Sequence, residues 1–124
     1  MSPARPMPEP WSTSSHLSIT PLAVTGNRGL LAVTGEVDLA TSGELAAALT
    51  DVLDGPPLSA LEVDFGGVRF LDSSGILVLL RTHARAAEQG CRLTVVDVQP
   101  AVRRVLEITG VLATLGLDTT SPTR

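Results

Sequence analysis

Strand-like and helix-like segments alternate along the middle of this chain, and that order points to an α/β domain on a largely parallel sheet. Three observations carry the reading. Apolar residues alternate with polar ones, or form short runs, at 17–24, 30–33, 61–65 and 93–96. Between them lie segments with apolar residues at helical spacing, bounded by capping residues and glycines. The whole is 124 residues long and 44 % apolar, enough for one domain with one core. The expected order is β-β-α-β-α-β-α with a short terminal helix, and no internal repeat is visible.

Each element has a local reason. Residues 17–24 and 30–33 flank Gly26-Asn27-Arg28-Gly29, whose turn chemistry predicts a hairpin at the N-terminal edge. After Gly35-Glu36-Val37-Asp38, Thr41 or Ser42 can cap a helix. Leu45, Leu49, Val52 and Leu53 share one face of it, and Gly55-Pro56-Pro57 ends it. Leu61, Val63 and Phe65 alternate with Glu62 and Asp64 as a strand, which Gly66-Gly67 is expected to break. A short loop then leads to Asp72-Ser73-Ser74-Gly75. A helix from Ile76 runs through Leu80, Ala84 and Ala87 to Gly90 as its C′ residue. Leu93, Val95 and Val96 give a fourth strand. Pro100 fits a first helical turn, with Val102, Val105 and Leu106 inward and Gly110 at the end. A last helical piece is expected at 111–115. Residues 1–15 hold four prolines and read as a disordered tail, and 119–124 as a frayed end, leaving 16–118 as the domain. Trp11 in the tail either faces solvent as a loosely packed ring, packs back on the domain or touches a partner.

Composition excludes several classes of function. Aromatics are only 2 %, so Leu, Val, Ile and Ala must build the core. A net charge of −4 with no Lys/Arg cluster argues against nucleic acid. The longest apolar run, Ile76 to Leu80, is far short of the ~20 residues of a membrane span. Cys91 is the only cysteine, so no internal disulfide forms, and its apolar neighbours mark it as a buried small hydrophobe. No charged-then-apolar leader is present, and a cytoplasmic location is expected. Enzyme chemistry finds no support either. His16 and His83 are not spaced for a metal site or a base, Ser73 with Asp72 lacks a third member, and no phosphate-cradling glycine loop occurs. No cofactor is expected.

The informative segment is Asp72-Ser73-Ser74-Gly75. An Asp or Ser at a helix N-cap satisfies first-turn N–H groups, a purely structural purpose. A hydroxyl there is also well placed to receive a phosphate, because first-turn amides and the helix dipole favour an anion. Five unbroken apolar residues follow, more than one core-facing stripe needs. Either the helix is buried on both sides near its start, or an apolar patch lies beside the serines.

The run Leu61-Glu-Val-Asp-Phe-Gly-Gly-Val-Arg-Phe-Leu-Asp-Ser-Ser-Gly75 resembles the signature of the STAS family of bacterial anti-sigma factor antagonists. Thr34-Gly-Glu-Val-Asp-Leu39 resembles that family's exit from its second strand. Cys91-Arg-Leu-Thr-Val-Val96 and Pro100-Ala-Val-Arg-Arg-Val-Leu-Glu-Ile-Thr-Gly110 resemble its last strand and the helix after it. The resemblance implies a STAS-like α/β fold, with a four- to five-stranded mixed sheet flanked by about four helices. It implies partner switching: the unphosphorylated protein binds an anti-sigma factor that is itself a serine kinase, and phosphorylation of Ser73 releases it. A serine phosphatase is a further candidate partner. Asp38, Asp72, Ser74, Gly75, Ile76 and Leu77 match the binding surface around the acceptor, Asp72 shaping the loop and Asp38 contacting the partner. Leu77 departs from the small residue that many members carry there, which bears on how closely a partner packs. The family also implies an alternative, a non-phosphorylated scaffold or ligand-sensing subunit of a signalling or lipid-transport assembly.

Overall fold

The computed structural model describes residues 16–116. The expected tails, Trp11 and the last residues of the domain lie outside them. Eight elements follow one another: β1 (Leu17–Ile19), β2 (Ala23–Thr25), β3 (Arg28–Val37), α1 (Ser42–Asp54), β4 (Ala60–Leu71), α2 (Ser73–Glu88), β5 (Arg92–Val96) and α3 (Pro100–Thr109). The α/β class is as expected, and the sheet is mixed. β1 and β2 run antiparallel to one edge of β3, while β3, β4 and β5 are mutually parallel. The crossovers from β3 to β4 and from β4 to β5 carry α1 and α2, which pack side by side on one face.

The first expected strand is divided in two. Pro21 has no N–H for the ladder, and at Thr20 the side chain replaces the backbone as acceptor: Ala32 N donates to Thr20 Oγ1 at 3.0 Å. The register is Ile19↔Val33 before this point and Ala23↔Leu30 after it, a one-residue bulge. Gly26, at φ 64, then starts the two-residue turn into β3.

The larger correction concerns β4, which Gly66-Gly67 does not break. The strand continues to Leu71 through two register shifts against β3, one between Ala32 and Thr34 and one between Gly35 and Glu36. The glycines serve close approach rather than termination. A Cβ on Gly67 would lie 2.6 Å from Thr34 Oγ1, and the Gly66 amide donates to Asp64 Oδ1 at 2.7 Å. No separate loop therefore precedes Asp72.

The core is one aliphatic cluster around a single phenylalanine. Leu31, Val33, Val37, Leu61, Val63, Phe65, Leu93 and Val95 line the inner sheet face, and Leu45, Leu49, Val52, Ile76 and Leu79 cover it. Cys91 is buried among them, and burial pushes its thiol pKa up. On α2 the buried face is Ile76, Leu79 and Ala86, while Ala84 and Ala87 point to solvent. Pro100 opens α3, Val102 and Leu106 are buried, and Gly110 ends it at φ 78. The expected helix at 111–115 is instead a turn, so the described residues hold three helices rather than about four. Leu115 is buried and its carbonyl accepts from Val95 N at 3.1 Å, a pairing with the edge strand that fixes a turn in place of a helix.

Candidate functional site

Strands β3 and β4 end side by side, at Val37↔Leu71, and each hands the chain to a helix at the same edge of the sheet. After β3 the chain makes a tight loop. Asp38 Oδ1 accepts from Ala40 N at 2.9 Å, Thr41 N at 3.1 Å and Thr41 Oγ1 at 3.2 Å. Thr41 stands at the N-cap of α1 yet makes no side-chain cap, and Ser42 is the first helical residue. The Thr41 hydroxyl turns back instead, donating to Glu36 O at 2.8 Å and accepting from Asp38 N at 2.9 Å. Asp38 and Thr41 thus lock the loop to itself. The side chain this loop holds out to solvent is Leu39, 82 % exposed.

After β4 there is no loop at all. Asp72 leaves the strand, its amide donating to Val37 O at 3.1 Å, and caps α2 at once. Its Oδ1 accepts from Ser74 Oγ at 2.6 Å, Ser74 N at 2.9 Å and Gly75 N at 3.4 Å. The Ser74 hydroxyl is the largest influence holding the Asp72 carboxyl below its usual range. Partial burial opposes it, and the amides of Ser74, Gly75 and Leu39 reinforce it. Because the Leu39 amide also acts on Asp72, the loop after β3 meets the start of α2 at this carboxylate.

This arrangement separates the two serines. Ser74 is half-buried and its hydroxyl is held by Asp72. Ser73 is exposed, and its hydroxyl has no hydrogen-bond partner among the described residues. Three of the first-turn amides expected to receive an anion are already engaged. Ser74 N and Gly75 N go to the Asp72 side chain, and Ile76 N to Asp72 O at 3.1 Å. A group added to the Ser73 hydroxyl would stand in solvent beside the Asp72 carboxylate.

Gly75 and Ile76 belong to the wall behind the site. A Cβ on Gly75 would meet Val37 Cγ1 and Leu71 Cδ1, each at 2.5 Å, so the helix start lies directly on the strand ends. Ile76 is buried, but Leu77 is 46 % exposed. Of the two arrangements the apolar run allowed, the second holds: Leu77 faces out one turn from Ser73. Sequence reasoning missed two further exposed apolar side chains at this sheet edge, Leu39 and Phe70. The alternation of β4 gives no warning of Phe70, since the register shift at Gly35/Glu36 is what turns it outward. Among the described residues no group of three or more His, Cys, Asp and Glu side chains is placed to hold a metal ion. No described helix is long and apolar enough to cross a membrane.

A parallel sheet entered by an antiparallel hairpin, with an aspartate-capped serine pair at the strand-to-helix junction, defines a STAS-type domain. The family model described as "Mlab, STAS domain" matches residues 21–116, and the chain belongs to the STAS domain family. The anti-sigma F factor antagonist of Paenibacillus polymyxa is 29 % identical over 86 residues, covering 68 % of this chain and 74 % of that protein. A crystal structure of an anti-sigma factor antagonist from Mycobacterium paratuberculosis is similar at 33 % identity and a TM-score of 0.69, over 83 % of this chain and 87 % of that one. The anti-sigma factor antagonist SpoIIAA in its unphosphorylated form shares the fold at 23 % identity and a TM-score of 0.61, over 84 % and 90 % of the two chains.

Proposed function

We propose that this chain is an anti-sigma factor antagonist of the cytoplasm, without catalytic activity or cofactor. It docks on an anti-sigma factor with serine kinase activity while Ser73 is bare, and phosphorylation of Ser73 releases it. The observation that carries the reading is the contrast within the serine pair. Asp72 holds Ser74, while Ser73 stands exposed without a hydrogen-bond partner among the described residues. Exposed Leu39 and Leu77 border it and supply apolar contact surface for a partner. Relatives named as anti-sigma factor antagonists support the partner class.

The switch follows from charge. A phosphate adds about −1.5 to −2 charges at pH 7. Asp72 already brings a negative charge that its hydrogen bonds keep ionised, and it occupies two of the first-turn amides that would otherwise shelter the phosphate. Docking then requires desolvating two neighbouring anions. A penalty of roughly 3–4 kcal/mol lowers affinity by a few hundred-fold. The helix and sheet need not move, because Ser73 points away from the core. A serine phosphatase resets the device by removing the phosphate.

The test is a paired pulldown with a candidate kinase and ATP. Ser73→Ala should bind constitutively, Ser73→Asp should lose binding, and intact mass should show one phosphate on wild type and none on Ser73→Ala. A second reading, a non-phosphorylated scaffold subunit, draws on the Mlab description of the matching family. It requires Ser73→Asp to keep its partner, and that result would displace the first reading.

A further inference from the structure

The opposite end of the molecule carries a second feature that the switch does not use. At this end the face of the sheet turned away from α1 and α2 is open, with Arg28, Leu30 and Arg92 exposed on it. At the beginning of the three parallel strands, Arg28, Ala60 and Arg92 lie opposite one another in a single row, and Leu30, Glu62 and Thr94 form the next. Burial alternates so that Gly29, Leu61 and Leu93 face the core, which sends the arginines to the open face. Two strand spacings set their Cα atoms about 10 Å apart. The residue between them is an alanine, and both arginines line the gap above it.

That gap is a hollow of about 500 Å³ lined by Arg28, Ser59, Ala60, Glu62, Arg92 and Thr94. A second hollow of about 290 Å³ adjoins it, sharing Arg28, Ala60 and Glu62 and extending to Ala23, Thr25 and Leu30. Together they reach the size of small-molecule sites. The charges in this trough are unmatched. Arg69, Arg85 and Arg103 each meet a carboxylate, whereas Arg28, Arg92 and Glu62 form no ion pair among the described residues. The trough therefore has two unpaired cations and one unpaired carboxylate, a local excess of one positive charge in a chain whose net charge is −4.

We propose that this trough binds a hydroxylated phosphomonoester, its phosphate gripped between Arg28 and Arg92 and its hydroxyls donating to Glu62. Guanidinium forks match phosphate oxygens two at a time, and two long arginine side chains flanking an alanine are within reach of one tetrahedral anion. Glu62 repels a bare anion but accepts hydrogen bonds from a hydroxylated body placed between it and the phosphate. The adjoining hollow at Leu30 gives that body room. The site lies at the far end of β4 from Ser73, roughly 30 Å along the paired strands, so ligand and partner can be bound together.

The test is an amide NMR titration of the full chain with ribose 5-phosphate, run beside ribose and inorganic phosphate. Ribose 5-phosphate should shift amides at 23–30, 59–62 and 92–94 and saturate in the millimolar range or below. Ribose should shift none, and inorganic phosphate should bind more weakly. Arg28→Ala and Arg92→Ala, both at exposed positions, should each weaken binding about tenfold or more while leaving the melting temperature unchanged. Glu62→Gln should remove the preference for the sugar phosphate over inorganic phosphate. The proposal is overturned if shifts do not saturate by about 10 mM, if the arginine variants bind as wild type does, or if ribose binds equally well. Shifts that follow protein concentration instead of ligand would make the trough a contact between two copies, and would overturn it too.

Discussion

Asp72 is the residue whose removal tests most of the site at once. Replacing it with alanine deprives Ser74 N, Gly75 N and Ser74 Oγ of their common acceptor. Loss of an N-cap side chain costs about 0.5–2 kcal/mol. The upper half of that range applies here, because Gly75 is buried against Val37 and Leu71 and water cannot readily replace the lost bond. For a domain of this size, about 1.5 kcal/mol corresponds to a fall in Tm of roughly 6–12 °C. Asp72→Asn keeps an acceptor and gives up only the charge at the helix start, about 0.3–1 kcal/mol. The pH dependence has a definite sign. The folded-state carboxyl titrates below its usual value, so its stabilisation is fully present above the unfolded value of 3.8 and fades as pH falls through the folded one. Wild type and Asp72→Asn should therefore differ at pH 7 and converge in acid. Urea unfolding followed by circular dichroism, at pH 7 and near pH 3, reads both effects as shifts in midpoint at constant slope. An alanine variant within about 0.5 kcal/mol of wild type at pH 7 would refute the capping account, and with it the reason Ser74 is withheld from a kinase.

Three further outcomes are expected. Phosphorylation of Ser73 should leave Tm within about 3 °C of the bare protein while lowering partner affinity a few hundred-fold; calorimetry and differential scanning measure the two sides. Gly75→Ala forces a methyl group into Val37 and Leu71 and should cost about 1–3 kcal/mol in chemical denaturation. Leu39→Ala and Leu77→Ala remove exposed side chains, so stability should stay within about 0.5 kcal/mol. Each should still weaken partner binding about tenfold by surface plasmon resonance.

What was legible in the sequence was what local chemistry decides. Leu45, Leu49, Val52 and Leu53 specify the buried face of α1, Pro100 and Gly110 punctuate α3, and Cys91 sits among aliphatics. The motif at Asp72 was visible because a cap, an acceptor and a helix start occupy consecutive residues. What was hidden depends on neighbours distant in the chain. Gly66-Gly67 reads as a stop until Thr34 is known to press against it. Residues 111–115 read as helical until Val95 claims the carbonyl of Leu115. The outward set of Leu39 is equally remote from its own sequence, since it follows from how Asp38 and Thr41 close their loop. The division of labour between Ser73 and Ser74 needed one distance, from the second hydroxyl to Asp72.

The buckled strand β4 has a consequence for how this domain tolerates change. Between Ala32↔Asp64 and Val37↔Leu71, seven steps along β4 accompany five along β3, so two surplus residues are stored as kinks. Excising one residue from that stretch would leave composition and the Asp-Ser-Ser-Gly string untouched, yet would reverse which side of the sheet the following side chains occupy. The serine pair would then sit on the wrong flank of a domain whose motif still reads as intact. Small insertions and deletions at 66–69 are thus more damaging to this chain than most point substitutions inside the motif itself.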